Sequence, residues 1–222
     1  DFERFNVRTN ITSTVNSWLE TGFGVSASTS KQAAPPQTDS SQGNFANFQR
    51  LVADIYPVYE RNPDGSFVYD TEGNKVYDYG NSRPSSAATG NNLLGSSIYN
   101  KYDNKQDVVS VRANAIITFI EGLKLKSSIN ADYNARFTHS YTNPSYGSGI
   151  STGGSVSKGS SRAFGYTVNS FLDYTFNLQD KHFVNILTGP EVYVYNTSSL
   201  SGSRSNFGFL DKEEPAAASL LN

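Results

Sequence analysis

Cysteine is absent from this chain of 222 residues, and so is methionine. The first absence excludes a disulfide framework, a thiol nucleophile and any cysteine-ligated metal. No run approaches the roughly eighteen consecutive apolar residues that a membrane-spanning helix needs. An excess of charge of one sign is lacking too. Lys and Arg number 18 against 20 Asp and Glu, for a net charge of −2, which leaves no electrostatic footprint for nucleic acid or an anionic membrane surface. The two histidines, His139 and His182, have no metal-ligand spacing and read as structural or solvated. No Ser/His/Asp or paired-carboxylate motif has a convincing context. Gly22 and Gly24 lack the following helix that a phosphate loop requires. No catalytic, cofactor-binding or metal-binding residue is assigned, and the chain reads as a non-enzyme.

What the chain does have is alternation. From Leu123 to Thr138 one set of residues reads Leu123, Leu125, Ser127, Ile129, Ala131, Tyr133, Ala135, Phe137. The other reads Lys124, Lys126, Ser128, Asn130, Asp132, Asn134, Arg136, Thr138. A strand has a side-chain period of two, so this segment carries one apolar and one polar face. At about 3.4 Å per residue it spans roughly 54 Å, or roughly 38 Å along the membrane normal at a tilt near 45°. Strands of soluble domains usually stop at about five or six residues. A long strand with one apolar and one wet face fits a transmembrane barrel, with lipid outside and water inside.

Five other segments repeat the pattern less cleanly, so that strands are expected near 4–15, 19–29, 108–119, 123–139, 163–176 and 182–197. The last is the weakest: Val184, Ile186, Thr188, Val192 and Val194 share one face, but Leu187, Tyr193 and Tyr195 fall on the other. No apolar set contains Asp, Glu, Lys or Arg, as expected where a midplane Arg or Lys costs about 2–4 kcal/mol. Pro190 cannot donate to a ladder, so a bulge or a missing hydrogen bond is expected there. The expected fold class is all-β: about six antiparallel strands of a larger transmembrane barrel, since the smallest common barrels have about eight. The chain therefore reads as a segment of a longer one.

The connections alternate between short and long. Asn16–Trp18, Ile120–Gly122 and Asn177–Asp180 are tight. The segments 30–106 and 140–162 are long, and outer-membrane barrels pair short periplasmic turns with long extracellular loops. The ends near Trp18, Glu121 and Gln179 are thus expected at the periplasm. Trp18, Phe119 and Phe176 would form the inner aromatic girdle. Phe137, Tyr141, Phe164 and Tyr166 would lie at or above the outer one. Within 30–106, the stretch from Ser30 to Gly43 reads as coil. Asn44 to Tyr56 reads as a helix capped by Asn44 and stopped by Pro57, with Phe45, Phe48, Leu51, Val52 and Ile55 on one face. Asn62-Pro63-Asp64-Gly65 and Thr71-Glu72-Gly73-Asn74 are turn signals within a small β-meander. Their carboxylates lack the ligand ladder of a calcium loop. Residues 85–97 carry few structure signals.

Local strings then resemble one family. Arg4-Phe5-Asn6-Val7-Arg8-Thr9-Asn10 is similar to the R-x-N-x-R-x-N barrel strand of the SusC/RagA family of TonB-linked outer-membrane transporters. Ile55-Tyr56-Pro57-Val58-Tyr59 with Asp64-Gly65 resembles its P-x-Y…DG loop. Glu121-Gly122-Leu123-Lys124-Leu125-Lys126-Ser127 resembles its periplasmic turn and rising strand. Asp180-Lys181-His182 with Gly189-Pro190-Glu191 resembles its K-H-x-L-x-V-L-x-G-x-E strand. The resemblance implies a barrel of about 22 strands, an N-terminal plug and a TonB box, neither of which is found here. It also implies a SusD-like surface lipoprotein as lid, coupling to TonB, and import of glycans or peptides across the bacterial outer membrane.

The polar faces carry the functional expectation. Arg8, Asn10, Arg112, Asn114, Asn130, Asp132, Asn134, Arg136 and Asn169 would point into the lumen. There they would contact an oligosaccharide or peptide, or a plug. The loop tyrosines Tyr56, Tyr59, Tyr69, Tyr77 and Tyr79 would contact a lid protein, stack on a sugar, or pack the loop itself. Two rival readings stand beside this one: another outer-membrane barrel, such as a porin or siderophore receptor, and a soluble secreted β-sandwich binding module.

Overall fold

A computed structural model describes residues 1–33, 45–80, 83–178, 181–207 and 213–221. Eight strands are found among them: β1 (Phe2–Asn16), β2 (Leu19–Ala33), β3 (Lys101–Ile120), β4 (Leu123–Thr142), β5 (Ser155–Leu178), β6 (His182–Thr188), β7 (Glu191–Phe207) and β8 (Ala218–Leu221). All lie in one antiparallel sheet of order β1-β2-β3-β4-β5-β7-β8, with β6 also on β5. No second sheet covers either face among the described residues, so the sandwich reading is excluded by architecture.

Register makes the two faces continuous. Ile11 pairs with Phe23, Phe23 with Ala113, Ala113 with Ile129, Ile129 with Val168, and Val168 with Val192. One apolar row thus crosses the sheet, and Thr9, Val25, Val111, Ala131, Tyr166 and Val194 form the next. These rows are not a core. Ile129 is 46 % exposed, and Ile11, Phe23, Val168 and Val192 are exposed as well. Their burial would require an apolar medium outside the chain. Among the described residues the buried apolar side chains are instead few: Tyr79, Ala87 and Ala88 in the long loop, Ala135 and Tyr141 on β4, Val156 on β5 and Ala218 on β8.

Turn chemistry holds the register at one end. β1 and β2 are joined through Ser17 and Trp18, where the Trp18 N–H donates to Asn16 Oδ1 at 3.1 Å. Glu121 and Gly122 join β3 to β4, and Gly122 has φ +80°, a conformation glycine adopts without a Cβ penalty. Among the described residues, register shifts occur only beside these turns, between Thr14 and Asn16 and between Thr118 and Ile120. Pro190 produces no shift. Leu172 pairs with Thr188 on one side of it and Asn169 with Glu191 on the other, so two residues on each strand separate the pairs. The ladder loses bonds there, although the Ser170 N–H still donates to the Pro190 carbonyl at 3.1 Å. β6 and β7 are in effect one strand with a gap rather than a bulge.

The strands run further than alternation indicates. β3 begins at Lys101, β5 begins at Ser155, and β7 continues to Phe207. These extensions are mostly polar on both faces, as in Asp103-Asn104-Lys105-Gln106, so no apolar period marks them. The first helix (α1, Phe45–Leu51) is shorter than the expected span to Tyr56. Ile55 is 82 % exposed and outside the helical face, and a residue before proline, here Tyr56, disfavours helical geometry. A second helix (α2, Leu93–Tyr99) lies where the sequence carries few signals, with Asn92 Oδ1 accepting from the Gly95 N–H at 3.0 Å as its cap. The coil expected from Ser30 is overturned at its start, where β2 continues to Ala33 paired with β1 and β3; residues 34–43, the expected Asn44 cap, and Gln179 and Asp180 fall outside the described residues.

The face assignment predicts an asymmetry. In membranes, Ile129→Arg should destabilise the folded full-length protein by about 2–4 kcal/mol, and Asn130→Arg should be nearly neutral. Urea unfolding in lipid vesicles checks this.

Candidate functional site

All nine expected lumen residues project from the polar face of the sheet. Asn10, Arg112 and Asn130 share one row through Gly24. Arg8 and Asp132 share the adjacent row through Ser26 and Ser110. Asn114 and Asn169 share the row on the other side through Ser128. Asn134 and Arg136 lie further toward the long loops, on successive rows.

Four of the nine side chains, Asp132, Asn134, Arg136 and Asn169, are committed to neighbours. Ser110 donates to Asp132, and Ser128 donates to Asn169 Oδ1 at 2.8 Å. Gln106 donates to Asn134 Oδ1 at 3.1 Å, and Arg136 Nε donates to Asn104 Oδ1 at 2.7 Å. Near the tight turns Lys126 pairs with Asp173, which also accepts from Asn185 Nδ2 at 2.6 Å. The glycines Gly22 and Gly24 gain a role here. A Cβ at Gly24 would meet Asn10 Oδ1 at 2.6 Å, and one at Gly22 would overlap the Asn114 amide. Each amide lies across the strip of backbone that its glycine leaves bare.

Arg8 and Arg112 stand apart from this network. Among the described residues neither has an ion-pair or hydrogen-bond partner, and both line a hollow of about 60 Å³ with Asn10, Gly24 and Ser110. Two guanidiniums with ten donors between them, beside a glycine floor, suit a carboxylate. Sequence reasoning did not single out Tyr193 and Tyr195 as functional. They project from the same polar face, exposed, with rings 6.4 Å apart and 11° from parallel. Their signal was the break in alternation: aromatic residues at positions the period assigns to water.

The outer loops form a second, aromatic unit. Tyr59 and Tyr77 lie 4.9 Å apart, Tyr77 meets Tyr99 edge-on at 5.9 Å, and Tyr99 stacks on Tyr146 at 4.2 Å. Lys75 caps the Phe67 ring at 3.9 Å, and Arg83 lies over Tyr56 at 5.7 Å. Tyr69 is exposed. Tyr79 is the correction among the five loop tyrosines: it is 6 % exposed, so its ring packs the loop interior and presents no surface to a partner. The turn carboxylates are occupied locally. Asp64 accepts from Ser66 Oγ at 2.6 Å and from its N–H at 2.9 Å, which holds it below the usual carboxylate range. Asp70 is lowered likewise, chiefly by the Asn74 N–H at 2.8 Å.

No protein-family model matches the chain, and no curated protein does. Solved structures do. The full length of the chain superposes on the RagAB peptide transporter with a TM-score of 0.75 at 22 % identity, covering 24 % of that chain. The RagAB peptide importer in its open-open state gives 0.74 at 23 % identity, covering 23 % of that chain. In the closed-closed state the score is 0.68 at 23 % identity, with 24 % covered. This chain has the fold of part of the RagAB transporter. It spans about a quarter of the length of the chains it matches, and the likeness establishes the architecture of this sheet alone.

The aromatic unit predicts an alkaline transition. Burial pushes Tyr79 up to about 12, and burial beside Tyr146 pushes Tyr99 up to about 12. A raised folded pKa means stability that is complete below the ordinary phenol value of about 10 and is lost as pH rises through the folded one. Limited proteolysis of the loop should be unchanged up to about pH 10 and should accelerate between about pH 10 and 12, alongside a late rise in tyrosinate absorbance.

Proposed function

We propose that this chain forms wall and outer-loop scaffold in a TonB-dependent importer of the bacterial outer membrane, of the SusC/RagA type. The observation that supports this most is the pairing of two continuous faces on one uncovered sheet: apolar rows that need lipid, backed by amide and guanidinium rows that need water. The RagAB likeness supports the same reading, since that complex is a peptide transporter. The remaining barrel and a plug of the same protein would complete the structure. A SusD-like lipoprotein would close over the long loops on the extracellular side, and TonB would act through the N-terminal region. Substrate would bind between lid and barrel and pass as the plug rearranges under force from the inner membrane.

Between the two substrate classes, the unpaired Arg8 and Arg112 favour peptides over neutral glycans. A peptide carries a terminal carboxylate, and a neutral oligosaccharide does not. Tyr193 and Tyr195 offer ring faces to either.

Fractionation and uptake test the reading. The full-length protein should remain with outer-membrane vesicles through carbonate washing and should support energy-dependent uptake of labelled peptides. A hydrogen bond to a charged group contributes about 1.5–3 kcal/mol, so Arg8→Ala with Arg112→Ala should lower uptake about tenfold or more while folded barrel yield stays unchanged. Recovery of the wild-type protein in the soluble fraction would contradict the proposal. Undiminished peptide uptake by the double variant would contradict the role of the arginines.

A further inference from the structure

The polar face has a charge polarity that its arginines do not exhaust. Arg112, Asn130, Thr167 and Tyr193 are successive partners in one cross-strand row. Asn114, Ser128, Asn169 and Glu191 follow one another in the next. On the other side, the row that starts at Arg8 passes through Asp132 and Gly165 to Tyr195. The ionised side chains of these three rows are Arg8, Arg112, Asp132 and Glu191. Both cations lie on β1 and β3, and both carboxylates on β4 and β7.

Asp132 is the diagonal neighbour of Arg112, about 7–8 Å away across the ladder. Its carboxylate accepts from Ser110 and pairs with neither arginine among the described residues. It offsets one of the two guanidinium charges, so that end keeps one positive charge in excess. At the far end Glu191 meets Asn169 Nδ2 at 3.5 Å and no cation among the described residues. Lys126, one row closer to the tight turns, is taken by Asp173. Tyr193 stands two residues beyond Glu191 on the same face and is 66 % exposed. Tyr195 follows it, its ring set against Gly165, where a Cβ would meet Cδ2 at 3.0 Å. A carboxylate and a ring about 7 Å apart along one strand can hold an ammonium group, one by ion pairing and the other by its π face.

We propose, on the strength of the peptide-importer reading, that Glu191 and Tyr193 hold the free amino terminus of an extended peptide whose carboxylate lies on Arg8 and Arg112. Three strand spacings separate Arg112 on β3 from Glu191 on β7. They amount to about 14 Å around the sheet, and one row adds about 7 Å along it, for roughly 16 Å in all. An extended chain covers that distance with about five residues. The peptide thus lies across the strands in one direction only. Reversal would set ammonium against guanidinium and carboxylate against carboxylate. Tyr195 offers its ring face to the first side chain.

The test measures binding to the full-length protein in detergent by fluorescence anisotropy. The probe is a pentapeptide with phenylalanine first, a dye-labelled lysine at its centre and alanine elsewhere. Acetylating its amino terminus should weaken binding to the wild type about tenfold and should make no difference to Glu191→Gln. Amidating its carboxyl terminus should weaken binding to both proteins equally. Tyr193→Ser should weaken binding of the free pentapeptide about threefold. A labelled tripeptide, too short to reach both ends, should bind the wild type as weakly as the acetylated pentapeptide. Heat-modifiable mobility on gels shows that each variant is folded, and Glu191→Gln carries the decisive comparison without the tyrosine variant. An acetylation penalty absent from the wild type, or equally large in Glu191→Gln, would overturn this inference and leave the arginine site standing. Failure of folded wild-type protein to bind any of the peptides would overturn the peptide reading and this inference with it.

Discussion

Register is the constraint on which the rest of this structure depends. With a side-chain period of two, a slip of one residue in any pairing would send every apolar side chain of that strand to the wet face. The chain confines its irregularities accordingly. Both register shifts sit beside tight turns, beyond the rows that carry Ile129 and Asn130. The proline that cannot donate falls between two segments that keep one register on β5. The consequence is a sheet whose apolar rows run unbroken from Ile11 to Val192, and whose polar rows bring Asn10, Arg112 and Asn130 into line.

A sheet like this has no interior of its own. In a soluble domain the apolar face would be covered by a second layer, and here the apolar rows stay exposed while the few buried apolar residues lie in the long loop, at Ala135, Tyr141 and Val156 on β4 and β5, and at Ala218. The same logic assigns work to the polar face. Asp132, Asn134, Arg136 and Asn169 are cross-linked between strands, which fixes their geometry, while Arg8 and Arg112 are left with free donors. Water can solvate such a wall at rest, and a carboxylate can displace that water without rearranging it. The loop unit is built differently, from stacked tyrosines and Asx-type turns, and so carries its own small core above the barrel wall.

How much of this was legible in the sequence follows from where alternation holds. The stretch Leu123 to Thr138 showed both faces of β4, because its apolar and polar residues alternate without a break. Alternation failed where Asp103 to Gln106 continues β3 with polar residues on both faces. Helix α2 was illegible because Gly95 and Ser96 are poor helix formers. The helix persists because Tyr77 and Tyr79 pack against Gly95, where a Cβ would meet Tyr77 Cβ at 3.0 Å. Its one local signal was Asn92 ahead of Leu93 and Leu94, an N-cap pattern. Tyr79 looked like Tyr59 and Tyr69 in sequence, since burial of one tyrosine in a row depends on which loop folds over it.

The central claim is that successive residues of β4 face different media, and the absence of native cysteine in this chain makes that directly measurable. Single cysteines would replace Ile129, Asn130, Ala131 and Asp132 in turn, in the full-length protein in native membranes, with any cysteines elsewhere removed. Each would be treated with a membrane-impermeant maleimide from the aqueous side. The account predicts labelling at 130 and 132 and protection at 129 and 131, with the reverse pattern for a lipid-soluble probe. Equal labelling at all four positions would contradict it.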